Sequence, residues 1–287
     1  MFRFLTDAQR QRVADGVFHL LEDVGVELTE PEVRDLLHGA GAGIDGDRVT
    51  IPAPVVEQAI DSAPGQIAIY NRHGEPGFTL GQGGAHFGAH TDAPDVLDPF
   101  TRQRRPCRQA DVARNARLID ALPRIRYTTA SGMVSDRPPA VADRVALAQC
   151  LLHSTKPVLA MPVTHRALVD SREMAALAVG GEDVLRERPT LIVYAEPVPP
   201  LTHPDDSIRK LLACAEHEIP LVYIPYAAMG GTGPMSPAGI VVQLCAESLS
   251  GLVIHQLKQP GAPFIFGGMA SVMDMKSTIF SYGAPEF

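Results

Sequence analysis

The sequence predicts an α/β fold, and three observations carry that prediction. First, five short runs are apolar on both faces: Arg126-Tyr127-Thr128-Thr129-Ala130, Pro157-Val158-Leu159-Ala160-Met161, Thr190-Leu191-Ile192-Val193-Tyr194, Leu221-Val222-Tyr223-Ile224 and Pro263-Phe264-Ile265-Phe266. Strands of a parallel sheet covered on both sides read this way. Second, helical segments separate them, which is the alternation of βα units. Third, polar or small residues follow every run, where a barrel of parallel strands places its site. No glycine-rich dinucleotide fingerprint follows the first run. The pattern points to a partial TIM (β/α)8 barrel of about five βα units over residues 123–287, preceded by an α+β extension over residues 1–122. A doubly wound sheet shares the alternation and stays open as the alternative, because a barrel needs eight units.

Residues 6–37 read as two helices. Val13, Val17, Leu20, Leu21 and Val24 recur at helical spacing. Thr6 and Gln9 form a capping-box pattern, and Gly25 stops the first helix. Pro31 suits the first turn of the second. Residues 48–52 read as a short edge strand ending at Pro52, and residues 55–63 as a helix. Runs at 67–70, 78–80 and 85–87 read as strands between glycines, which makes a small, mostly antiparallel sheet. From residue 111 the rhythm is helix and strand by turns. Helices are expected over 111–122, 139–153, 167–179, 205–217 and 237–258.

Composition limits the function classes. Hydrophobic residues are 45% of the chain and charged residues 20%, enough to build a sizeable core. The net charge of −8 and the lack of a basic face argue against nucleic acid. No uncharged apolar stretch of membrane length stands out, so no membrane partner is expected. Residues 1–7 lack the apolar run of a signal peptide. Cys107, Cys150, Cys214 and Cys245 are scattered without CxxC spacing. That points to reduced thiols in a cytoplasmic protein and to no metal site.

Longer motifs narrow the reading. Gly230-Gly231-Thr232-Gly233-Pro234-Met235-Ser236-Pro237-Ala238-Gly239 is continued by Gln243, Ala246-Glu247 and Gly251-Leu252-Val253. Pro260-Gly261-Ala262-Pro263, Gly267-Gly268, Ser271-Val272-Met273-Asp274-Met275 and Ser281-Tyr282-Gly283-Ala284-Pro285-Glu286 follow. Together with Asp23-Val24-Gly25-Val26, Val96-Leu97-Asp98 and Lys156-Pro157-Val158, they resemble the trimethylamine methyltransferase family, which includes non-pyrrolysine relatives acting on glycine betaine. The resemblance spans the chain and matches about the first three-fifths of a family member. The position that holds pyrrolysine in the trimethylamine enzymes is expected beyond Phe287.

The resemblance implies methyl transfer from a methylated or quaternary amine to the cobalt of a corrinoid. The corrinoid is supplied by a partner protein rather than bound here, and a homo-oligomer is expected. A quaternary ammonium leaves as a neutral amine, so the site needs aromatic faces or a carboxylate rather than a general acid. No catalytic residue is assigned. Glu196, Tyr226 and Phe266 stand near strand ends as candidate amine contacts, and His165 follows the second strand. Tyr194, Tyr223 and Phe266 could equally fill the core. Gly230, Gly231 and Thr232 lead into the long helix, where backbone N–H groups could favour a carboxylate. A tight turn explains the same glycines. Gly267 and Gly268 could admit the substrate, and Gly268 and Met269 the corrin ring. His86, His90, Asp92 and Asp95 fit no regular ligand spacing and read as a loop. The competing functional reading is a catalytically inactive fragment that retains amine or corrinoid-protein binding.

Overall fold

The computed structural model describes residues 4–283. Met1–Arg3 of the N-terminal reading and Ala284–Glu286 of the last motif lie outside them.

The elements follow in chain order. Helix α1 (Asp7–His19) begins at the expected capping box, with Thr6 accepting from the Gln9 amide. It runs on through a π-turn at Leu20–Val24 to Gly25, at φ 72°. A side chain there would collide with the Val49 carbonyl. Strand β1 (Val26–Leu28) and α2 (Pro31–Gly39) come next, then β2 (Gly43–Asp45), β3 (Arg48–Thr50), α3 (Ala53–Ser62), β4 (Ile67–Tyr70), β5 (Pro76–Leu80), β6 (Phe87–Gly88), β7 (Asp95–Leu97) and β8 (Arg104–Pro106). The alternation begins with α4 (Gln109–Ala121), β9 (Ile125–Thr129), α5 (Ala142–His153), β10 (Val158–Ala160), α6 (His165–Val179), α7 (Glu182–Glu187) and β11 (Leu191–Ala195). It continues with β12 (Thr202–His203), α8 (Asp205–Glu216), β13 (Leu221–Tyr223), β14 (Tyr226–Met229), α9 (Pro237–Lys258), β15 (Phe264–Phe266), β16 (Met269–Met273) and β17 (Phe280–Ser281).

One sheet has six strands in the order β15-β13-β11-β10-β9-β6. The five expected barrel strands lie side by side in sequence order. A barrel adds strands this way, whereas a doubly wound sheet reverses direction at a switch point. The fold is therefore α/β with a partial TIM-type parallel sheet and N-terminal α+β elements.

Three details differ from the sequence reading. The 48–52 run is not an edge: β3 lies between β1 and β2, with Val26 opposite Val49. Of the run at 85–87 only Phe87 is strand; with Gly88 it forms β6, which pairs parallel with β9 and so belongs to the main sheet rather than to an antiparallel one. Strand β1 sits where two helices alone were expected; its partner β12 lies far along the chain.

By contacts the chain forms two compact units, which interleave the segments on either side of residue 122. One comprises residues 4–63, 195–216 and 222–283; the other comprises residues 64–194 and 217–221. In the first, α9 is the central element and packs against α1, α2, α3 and α8. It is long and apolar enough to cross a membrane by length and composition alone. Its buried residues run from Ile240 to Gln256 and make it a core helix here. In the second, β9, β10 and β11 pair parallel, Val158 lying opposite both Thr128 and Leu191. Lys156 ties the end of α4 to β9, donating to the carbonyls of Ile119, Leu122 and Ile125 at 2.5, 2.6 and 2.7 Å.

Candidate functional site

In the first unit, two strands of the main sheet break and resume. β13 ends at Tyr223, and after Ile224-Pro225 the chain resumes as β14. β15 ends at Phe266, and after Gly267-Gly268 it resumes as β16. Proline cannot donate to a ladder; its carbonyl instead accepts the Met269 N–H at 2.9 Å. β14 and β16 then pair parallel, with Tyr226 opposite Met269 and Ala228 opposite Ser271. This second small sheet lies directly past the carboxyl ends of β13 and β15.

Tyr226 is held at both ends. Its hydroxyl meets Ser271 Oγ at 2.6 Å, and its ring stacks on Tyr282 with centroids 5.9 Å apart and planes 3° from parallel. A hydrogen bond with Tyr226 raises the Tyr282 phenol pKa, with burial adding to the effect. Phe266 is 48% exposed at the tip of β15. Tyr223 is wholly buried, so it belongs to the core alternative.

The glycine loop closes on itself. Gly230 stands at φ 81°, and the amides of Gly231, Thr232 and Gly233 all converge on the Ala228 carbonyl at 2.9, 2.9 and 3.1 Å. The Gly230 amide donates to the Gly233 carbonyl, and Thr232 Oγ1 accepts from the Ala228 amide. At the start of α9, Ser236 accepts from Gly239 at 3.0 Å, and Pro237 has no N–H to offer. These donors are engaged inside the turn, which favours the tight-turn explanation over a carboxylate cradle. The close approach at Gly267 and Gly268 is likewise taken up within the chain. A side chain would crowd Ile224 at Gly267 and Leu244 at Gly268, each at about 3 Å.

Behind the strand tips lies a buried polar network. Glu247 is wholly buried on α9. Its Oε1 accepts from the Leu201 amide at 2.8 Å and from Gln243 Nε2 at 2.9 Å, while Oε2 has no partner among the described residues. Burial raises its pKa. His203 bridges Tyr223 OH and Ser250 Oγ, both at 2.8 Å, and burial lowers its pKa to about 4. The Tyr223 phenol is pushed up by burial, then by the carboxylates of Glu247 and Glu196. Glu196 thus acts electrostatically on this network from just past β11.

The second unit holds a cavity of about 510 Å³ at the carboxyl ends of β9 and β10. Asp92, Met133, Asp143, Cys150 and Met161 are among its walls. Sequence reading missed it because its walls come from separated loops and from α5. Asp143 is internally engaged, accepting from the Val163 amide at 3.0 Å and pairing with Arg144. His165 heads α6 directly after its N-cap Thr164. Ser131 and His90 line a different cavity, of about 590 Å³, against α4. His86 packs on the Phe78 ring at 4.7 Å and meets the Thr79 carbonyl. Among the described residues no cluster of three or more His, Cys, Asp and Glu is placed to hold a metal ion. The four cysteines are free thiols.

Sequential parallel strands, with aromatic and glycine-rich segments past their carboxyl ends, define a protein of the (β/α)-barrel class. A sequence profile described as trimethylamine methyltransferase (MTTB) matches residues 1–287, and the chain belongs to that family. It is 28% identical over 289 residues to the glycine betaine methyltransferase of Desulfitobacterium hafniense (strain Y51), covering 99% of this chain and 60% of that protein. It is 28% identical over 284 residues to the trimethylamine methyltransferase MttB of D. hafniense (strain DSM 10664 / DCB-2), covering 98% and 57%. With the proline betaine:corrinoid methyltransferase of Eubacterium limosum, identity is 24% over 276 residues, covering 93% and 56%. The chain therefore spans less than two thirds of the length of these relatives.

Proposed function

We propose that this chain supplies the amine-binding part of a methyltransferase that moves a methyl group from a methylated or quaternary amine, of the trimethylamine or glycine betaine type, to the cobalt of a corrinoid on a separate protein. Family membership supports the reaction class. The observation that carries the assignment to these residues is the fixed aromatic pair past the strand tips. Tyr226 is stacked on Tyr282 and anchored to Ser271, so its ring is oriented before any ligand arrives. A quaternary ammonium has no N–H to donate. It is recognised by ring faces and by negative charge, which Phe266, Tyr226 and Glu196 provide in this reading. Preorganised rings lose little freedom on binding.

In the transfer step the corrinoid cobalt supplies the nucleophile. A quaternary ammonium leaves as a neutral tertiary amine, so with that substrate this chain needs to orient the C–N bond and exclude water rather than to deliver a proton; a tertiary amine has to carry a proton on nitrogen to leave neutral. On this reading the partners are a small methylated amine or betaine, a corrinoid protein and further copies of the chain, in the cytoplasm.

Calorimetric titration with glycine betaine, trimethylamine and tetramethylammonium tests the proposal. One saturable site is expected for at least one of them. Tyr226→Ala should weaken it by about 1–2 kcal/mol, the value of a partly desolvated cation–ring contact. Tyr226→Phe, which keeps the ring and loses the Ser271 bond, should weaken it less. Unchanged affinity in Tyr226→Ala removes that ring from the site.

A further inference from the structure

Two strand-tip loops of the first unit are joined through the interior of the protein. The loop after β11 begins at Glu196 and makes a tight turn, in which Val198 and Thr202 exchange backbone hydrogen bonds of 2.8 and 3.2 Å. Within it Leu201 holds φ at 54°, a left-handed conformation uncommon for leucine. The loop after β14 is the glycine turn at 230–233. Gln243 and Glu247 sit four residues apart on α9, on one face of the helix. Gln243 Nε2 donates to the Thr232 carbonyl at 3.0 Å and to Glu247 Oε1 at 2.9 Å. Glu247 Oε1 in turn accepts the Leu201 amide at 2.8 Å. The contacts form one chain: Thr232 carbonyl, Gln243 amide, Glu247 carboxyl, Leu201 amide.

We propose that Gln243 and Glu247 are positioning residues, which fix the loop carrying Glu196 and the glycine turn that ends the Tyr226 strand in one mutual arrangement, so that Glu196 and Tyr226 stand in register for amine binding. The proposal rests on the function proposed above. Both side chains are buried, so neither is offered as a contact to substrate. An ordinary apolar pair could fill the space between α9 and the two loops. It could not accept the Leu201 amide or donate to Thr232, and leaving those groups buried and unpaired is unfavourable. Glu247 Oε2 has no hydrogen-bond partner among the described residues, so a conservative replacement at that atom breaks no contact. A glutamine at 247 can keep its carbonyl on Leu201 and Gln243 and place its NH2 where Oε2 stands.

Amide hydrogen exchange and betaine titration together test this, with glycine betaine as the probe, on the wild-type chain, Glu247→Gln, Glu247→Ala and Gln243→Ala. Glu247→Gln should retain Leu201 protection and betaine affinity within about twofold. Glu247→Ala should speed Leu201 exchange and weaken betaine by about tenfold or more, the scale of one lost buried hydrogen bond. Gln243→Ala leaves Glu247 on Leu201, yet it should also speed Leu201 exchange if the loops are coupled. A Leu201 amide indifferent to Gln243→Ala overturns the coupling. Faster exchange with unchanged betaine affinity reduces the pair to a structural role and also overturns the proposal. If the wild-type chain binds no methylated amine, the functional reading fails on its own, and the exchange arms still decide the coupling. Should Glu247→Ala fail to fold, Glu247→Gln and Gln243→Ala carry the decision.

Discussion

Lowering the pH from 7 to 4 makes the charging of His203 work against the fold. Its ring lies wholly inside the first unit, stacked on Tyr223 at 5.9 Å and bonded at both nitrogens. Burial drops its pKa from 6.5 to about 4. The unfolded chain therefore takes up the proton first as pH falls, and protons bound only by the unfolded state pull folding backward. The contribution of His203 is fully present above pH 6.5 and is lost as the pH falls towards 4. At about 1.4 kcal/mol per tenfold change in proton affinity, the loss amounts to about 3 kcal/mol. His203→Gln keeps a donor and an acceptor but cannot titrate. Urea unfolding of the wild-type chain and of this variant at pH 7, 6, 5 and 4 gives the comparison. The wild-type advantage at pH 7 should shrink by about 3 kcal/mol by pH 4. A constant gap between the two proteins would refute the account, because His255, with a pKa lowered to about 3 by burial, contributes equally to both.

Three further outcomes follow from the same packing. Burial raises the Glu247 pKa, so its contribution is complete below about 4.5 and is lost as pH rises through the raised value; Glu247→Gln should flatten the decline of the wild-type stability curve above about pH 4.5, read by thermal melts from pH 4 to 9. Gly251→Ala places a methyl against the buried Tyr223 ring, and chemical denaturation should show a loss of about 1–3 kcal/mol from overpacking. Lys156→Met leaves the carbonyls of Ile119, Leu122 and Ile125 without their shared donor; the same assay should show a loss of about 1–3 kcal/mol, and an unchanged midpoint would mean that water replaces the ammonium at no cost.

The parallel strands were legible because each is a compact apolar run bounded by turn residues. The α9 boundaries were legible because Ser236-Pro237 and Gln259-Pro260 mark its ends. What escaped notice depends on distant partners. Val26–Leu28 becomes a strand by pairing with Thr202–His203 and Arg48–Thr50; nothing local announces Thr202–His203, and Arg48–Thr50, though legible as a strand, gives no sign of this partner. β14 and β16 follow Pro225 and Gly267-Gly268, which read as stops rather than as interruptions. At the site, Tyr226 could be picked out from its place after a strand. Its anchors Ser271 and Tyr282 could not, because they come from two later segments. Gln243 and Glu247 were visible as motif residues, but polar residues on an apolar helix gain meaning only when the loops they hold are seen.

The central place of α9 changes what the N-terminal segment is. Helices α1, α2 and α3 lie directly on it. Trimming those first sixty-odd residues to isolate a bare barrel would leave a long greasy rod facing water, and the product should clump. The opening stretch of the sequence is a wall of the building, and deletion series ought to spare it.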